Sequence, residues 1–320
     1  MKSRGIIILI ILLAVVIISM IILDYLSNRP GKRTGNKYEL DIESYKTIDT
    51  SFIDYKEIRN YTVTTDSLRA IAISGQEIYV AADRFIKVFD LKGITLLQVN
   101  LTDSPMCLDI TGDKKILVGF KNRIGLYEAN GEQIWLTDTF NSSALYTAIA
   151  LKKDRIFVAD AGNRVVHQFD NSGKYLDHFA GKASSEDLHG FIIPSLNFDL
   201  KINGDGELWV TNPGKHALEN YTDEGELRGY WQNLSSGLDG FTGCCNPSHF
   251  TFLKDGSFVT SEKGFVRIKI HKSSGEFQSV VAAPEKFLEN GKAPDVAADV
   301  EGNIYALDYD KKIIRVFTPK

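Results

Sequence analysis

The chain has 320 residues, of which 43% are hydrophobic and 24% charged, with a formal net charge of −4. That length suits one large all-β domain with little left over. The charge balance gives no basic field for nucleic acid, and three cysteines are too few for a disulfide-built scaffold and lack metal-finger spacing.

In chain order, residues 1–5 are a short basic tail carrying Lys2 and Arg4. Ile6 to Leu23 follows without a charge and with Ser19 as its only polar residue. Eighteen such residues are close to the minimum for crossing hydrocarbon and exceed the ~7–15 of a cleaved signal core. No small-x-small cleavage site comes next, so the stretch is expected to be a transmembrane signal anchor. Lys2 and Arg4 favour an inside N-terminus, whereas Arg29, Lys32, Arg33 and Lys37 crowd the other flank, where the positive-inside rule also counts them. The expected arrangement is a single-pass membrane protein with its folded domain outside the cytoplasm. Residues 24–50, with Asn28, Pro30, Gly31 and Gly35, read as a linker to a domain over 51–320.

Within that domain a short apolar run with a closing residue recurs. It is IYVAA ending at Ala82, ILVGF at Phe120, IFVAD at Asp160, LWVTN at Asn212, FVTSE at Glu262 and IYALD at Asp308. A glycine turn keeps the same phase some 10 to 13 residues later, at Gly93, Gly131, Gly173, Gly225 and Gly275. Prolines precede several copies, at Pro105, Pro194, Pro247 and Pro294. Six copies of a four-strand unit predict a six-bladed β-propeller. The last copy runs out after its third strand, and the Ile53 to Val63 region is the candidate that closes the ring, since closure removes exposed sheet edges. Lys182 to Ile193 and Gln232 to Gly243 enlarge two connections between blades, on the face carrying the closing residues.

The order of proline, apolar strand, Asp-Gly or Asn-Gly turn, short strand, Asp, Asn-Arg-Val, Phe-Asp and Gly resembles the NHL repeat, and Asp160 to Gly173 is its best copy. The resemblance covers residues 66 to 320 and implies a propeller of NHL type. Members of that family include binding scaffolds and lyases, so the resemblance implies no single activity. Amidating lyases of the same fold bind zinc through histidines at the propeller centre. By that likeness His216, His249 and His189 are the metal candidates, with solvated or core histidines as the ordinary alternative.

The candidate ligand-binding residues gather near one turn. Cys244 and Cys245, followed by Asn246 and Pro247, precede the inner strand of blade five. They read either as a vicinal disulfide, which an exported domain permits, or as two reduced thiols packing as small hydrophobes. Glu262 and Lys263 close the next strand of that blade and are expected beside them. Asp160, Asn212 and Asp308 hold the same repeat position, as ligand contacts or as caps of their own turns. The cofactor is left open. The expected partner is a protein, peptide or small molecule on the loop face, or else the cysteine pair and Glu262 serve an enzyme or redox partner.

Overall fold

The computed structural model describes residues 2–27, 45–182 and 190–320. The chain divides into two units, Met1–Ser44 and Tyr45–Lys320.

In the first unit, α1 spans Lys2–Ser27. Its side chains from 11 to 26 are all exposed. Among the described residues no helix is long and apolar enough to cross a membrane, so the expected transmembrane span is not supported.

The second unit holds six four-stranded antiparallel sheets, which are the blades. Blade one is β2 (Leu68–Ser74), β3 (Glu77–Ala82), β4 (Phe85–Asp90) and β5 (Thr95–Asn100). Blade two is β6 (Cys107–Ile110), β7 (Ile116–Gly119), β8 (Ile124–Tyr127) and β9 (Gln133–Leu136). Blade three is β10 (Tyr146–Lys152), β11 (Arg155–Asp160), β12 (Val165–Asp170) and β13 (Tyr175–Phe179). Blade four is β14 (Leu200–Ile202), β15 (Leu208–Asn212), β16 (Ala217–Tyr221) and β17 (Leu227–Gln232). Blade five is β18 (His249–Phe252), β19 (Phe258–Glu262), β20 (Arg267–His271) and β21 (Phe277–Ala282). Blade six takes β22 (Asp295–Ala298), β23 (Ile304–Asp308) and β24 (Ile313–Pro319), and its outer strand is β1 (Tyr55–Thr62). The pairing of β1 with β24 runs from Tyr55↔Pro319 to Thr62↔Ile313, so the strand expected to close the ring does so.

Every blade is covered on both faces by its neighbours, which is why the second strands are continuous apolar runs rather than alternating ones. A separate apolar cluster fills each of the six seams. Phe120 and Tyr79 pack between blades one and two, and Phe157 and Tyr221 between three and four. Trp231 and Phe258 fill the seam between four and five, and Phe89 and Tyr305 the one between six and one. The recurring turn glycine is fixed by both backbone and space. Gly173 has φ +83°, and a Cβ there would lie 2.9 Å from Trp135 on the outer strand of the preceding blade.

Candidate functional site: a polar column from the loop face into the channel

The propeller places the inner strands side by side around the axis, so one residue from each can form a ring. That ring consists of Arg69, Cys107, Thr147, Asp199, His249 and Asp295, each thirteen residues before the closing residue of its own blade. All six line one small central cavity. Three are chemically assertive and sit on consecutive blades: Asp199, His249 and Asp295 bring ligand atoms within 4.8 Å of one another. His249 Nδ1 lies 3.7 Å from Asp199 Oδ2 and 3.8 Å from Asp295 Oδ1, too far for direct hydrogen bonds.

The backbone pins the carboxylates. Asp199 accepts from Leu200 N at 2.8 Å and from Phe250 N on the next blade at 3.1 Å. Asp295 repeats the pattern with Val296 N at 2.8 Å and Ile71 N at 2.9 Å, also across a seam. Asp109, deeper along β6, accepts from Ile110 N and from Leu151 N of blade three. Burial works against a charged His249, but the Asp199 and Asp295 carboxylates outweigh it and hold the imidazole above its ordinary value. Burial raises Asp295, with His249 and Lys201 opposing. The Lys201 ammonium loses from burial yet is held up by Asp199, Asp295 and Asp109.

Above the ring, toward the loop face, the column continues through Asn197, whose Nδ2 donates to Ser248 Oγ at 2.7 Å and to the Cys245 carbonyl at 3.3 Å. The cysteine turn comes next. Cys244 is exposed and Cys245 buried, both as free thiols, with Sγ atoms 3.3 Å apart. Asn246 ties this turn to the one after β19: its Oδ1 accepts from Lys263 N at 2.9 Å and its Nδ2 donates to the Lys263 carbonyl at 3.0 Å. The two turns are therefore neighbours. Burial pushes the Cys245 thiol up, but Ser195, Cys244 and Lys263 prevail and leave it below the usual thiol range. Its contact with Cys245 raises Cys244.

The remaining expected residues fall into two groups. His216 stands in the left-handed turn after β15, with φ 53°, and its Nδ1 is buried without a hydrogen-bond partner. Burial lowers it, against Asn246 and Glu262, which places it beside the cysteine turn rather than in the ring with His249. His189 lies outside the described residues. Among the described residues, His249 is joined by two aspartates and not by His216.

Asp160, Asn212, Glu262 and Asp308 are all buried, and each bonds the side chain seven residues on. The pairs are Asp160 with His167 at 2.9 Å, Asn212 with Glu219 at 3.0 Å, Glu262 with Lys269 at 2.7 Å and Asp308 with Arg315 at 3.0 Å. Geometry explains the spacing. Residue i+5 stands opposite the closing residue across the hairpin, as in Asp160↔Val165, and i+7 is its same-face diagonal neighbour. Glu262 also takes Arg267 Nε at 2.9 Å, while Arg267 reaches the Gly237 carbonyl and Lys269 the Gly240 carbonyl. The Glu262 carboxylate thereby clamps the 232–243 connection to blade five from inside.

No family model and no curated protein matches this sequence. Solved structures do. A streptogramin B lyase structure superposes with TM-score 0.60 at 12% identity, covering 85% of this chain and all of that one. A virginiamycin B lyase from Staphylococcus aureus gives 0.58 at 15% identity, over 83% of this chain and 100% of that one. A protein of unknown function from Bacteroides thetaiotaomicron gives 0.59 at 15%, over 83% and 76%. The likeness is one of fold: this chain is an all-β six-bladed propeller.

Proposed function

We propose that this chain is a propeller of NHL type, tethered outside the cytoplasm through residues 6–23, that binds a protein, peptide or small-molecule ligand on its loop face over blades four and five. The observation that carries this reading is convergence. Cys244, Cys245, Lys263, His216 and Ser195 come from separate loops to one place, directly above a polar column that enters the channel. A scaffold needing only stability has no use for an exposed thiol and a cation at the mouth of such a column.

Photo-crosslinking in cells tests the binding reading. A photoreactive residue at position 263 is expected to trap a partner or ligand, whereas one at position 254, in the turn at the opposite end of β19, is not. Equal trapping at both positions, or none at either, sinks the proposal. A phosphatase fused to the C-terminus is expected to be active, and an inactive one places the propeller inside.

The Sγ separation of 3.3 Å favours one second reading, a redox partner acting through the cysteine pair. This reading rests on the thiols and Lys263, because the Glu262 carboxylate is engaged internally. Alkylation of untreated protein followed by mass spectrometry checks it: two freely alkylated thiols at 244 and 245 under oxidising conditions dispose of it.

A further inference from the structure

We propose that the channel ring is a binding site for a divalent cation of the zinc class, ligated by Asp199, His249 and Asp295. This site is separate from the cysteine turn and does not depend on what the loop face binds.

Spacing is the first argument. Hydrogen-bonded partners would have closed to about 3 Å, yet the imidazole stands 3.7 and 3.8 Å from its two carboxylates. With the imidazole 3.7 and 3.8 Å from the carboxylate oxygens and all three ligand atoms within 4.8 Å of one another, they share a centre about 2.1–2.4 Å from each, close to zinc–nitrogen and zinc–oxygen bonds of ~2.0–2.2 Å. Preorganisation is the second. Both carboxylates are oriented by backbone N–H groups from two blades, the outer-shell support that fixes ligand direction in metal sites. The donor set is the third. One imidazole with two carboxylates suits zinc and its first-row neighbours better than calcium, which takes six to eight oxygens.

An independent observation completes the site. The adjoining cavity measures about 20 Å³, room for about one water and hence for one open coordination position. Arg69 lines that cavity, and its Nε is buried without an acceptor. A water held on the cation would supply one. The internal rival is Lys201, whose ammonium already answers Asp199 and Asp295 in the same column.

The test uses the full-length chain in detergent, stripped with a chelator, reloaded with Zn²⁺ or Co²⁺ and dialysed before elemental analysis. One ion per chain is expected. Asp295→Asn, which keeps an oxygen for Ile71 N, and His249→Gln should each weaken binding at least ~10-fold, since even outer-shell losses cost that much. The Co²⁺ form should show ligand-field bands without sulfur charge transfer, unchanged in the Cys244→Ser, Cys245→Ser double variant. No retained ion in the wild type would show that Lys201 satisfies the ring alone and overturns the proposal. Undiminished binding in both ring variants does the same, as does any sulfur-to-cobalt band, which would assign the metal to a thiol. If the ring variants fail to fold by circular dichroism, the wild-type stoichiometry and cobalt spectrum still decide.

Discussion

Blades one and two turn from their second strand to their third differently from blades three to six, and the difference explains what the closing residue is for. In blade one that turn is Asp83-Arg84 after Ala82, and in blade two Phe120 N bonds the Arg123 carbonyl around Lys121-Asn122, so both turns are short and the closing side chain is apolar. In blades three to six four residues separate the strands, and the closing residue is Asp160, Asn212, Glu262 or Asp308. A four-residue turn leaves backbone donors open. Asp160 accepts from Gly162 N and Asn163 N, and Asp308 from Lys311 N. The polar closing residue then reaches the preceding connection as well: Asp160 takes Leu145 N, Asn212 takes Ile192 N, and Arg315 beside Asp308 donates to the Lys286 carbonyl. In blade one the task moves one residue along, where Asp83 holds Thr65, Asp66 and Ser67. The lesson is that these four residues organise the loop face before any ligand is considered.

Blade five is the extreme of that series, because its pair carries full charges in a fully buried setting. Glu262, Arg267 and Lys269 are each 0–1% exposed. Glu262→Ala should cost about 3–5 kcal/mol, since it strands two buried cations without their anion. Urea unfolding measures this, and protease should cut the 232–243 connection that the clamp holds. A loss below ~1 kcal/mol would show that the clamp is incidental and that blade five belongs with the apolar blades.

The same clamp predicts a pH signature of intermediate size. Burial lowers Lys269 to about 8, with Glu262 opposing, against ~10.4 for an unfolded lysine. Between these values the unfolded chain holds a proton that the folded chain has released, so this group's contribution to stability rises with pH across that window. Glu262 acts in the opposite range: burial raises it, Lys269 and Arg267 more than compensate, and the net lowering is stabilising above its unfolded value and is lost in acid. Relative to Lys269→Met, the wild type should therefore gain stability from pH 8 to 10. A pH-independent difference between the two proteins would contradict the assignment.

The repeat was legible in the sequence because its signal is local and redundant. A closing residue, a phased glycine and an apolar run each report the same 38- to 52-residue period. Ring closure by residues 53–63 was legible because an edge strand needs a partner. The channel ring was not, although its members share one offset: each inner strand contributes a single residue, the six differ in type, and Cys107 or Thr147 alone carries no motif. Glu262 is the reverse case. Its repeat position was visible, but its partner at i+7 is apparent only once the hairpin register is known. His216 and His249 were both metal candidates, yet His216 neighbours Asn246 of the cysteine turn and His249 lines the central cavity.

Blade three supplies the smallest and most discriminating test, because its pair stands between the ionic clamp of blade five and the apolar closures of blades one and two. His167 Nε2 meets Asp160 Oδ2 at 2.9 Å, while its Nδ1 is buried without a partner. The ring packs among aromatic neighbours, with Phe140 at 4.7 Å, Tyr146 at 5.7 Å and Tyr175 at 5.8 Å between centroids. Phenylalanine at 167 keeps that packing and removes an orphaned nitrogen at the expense of one hydrogen bond. Asp160 keeps its bonds from Leu145 N, Gly162 N, Asn163 N and Asn163 Nδ2. His167→Phe should therefore cost only about 1 kcal/mol, the net worth of an ordinary hydrogen bond. Chemical denaturation of this variant beside Glu262→Ala places the blade: a loss near 1 kcal/mol marks the pair as a neutral staple. A loss approaching that of Glu262→Ala would make it a further buried ion pair, and the contrast between blades three and five would disappear.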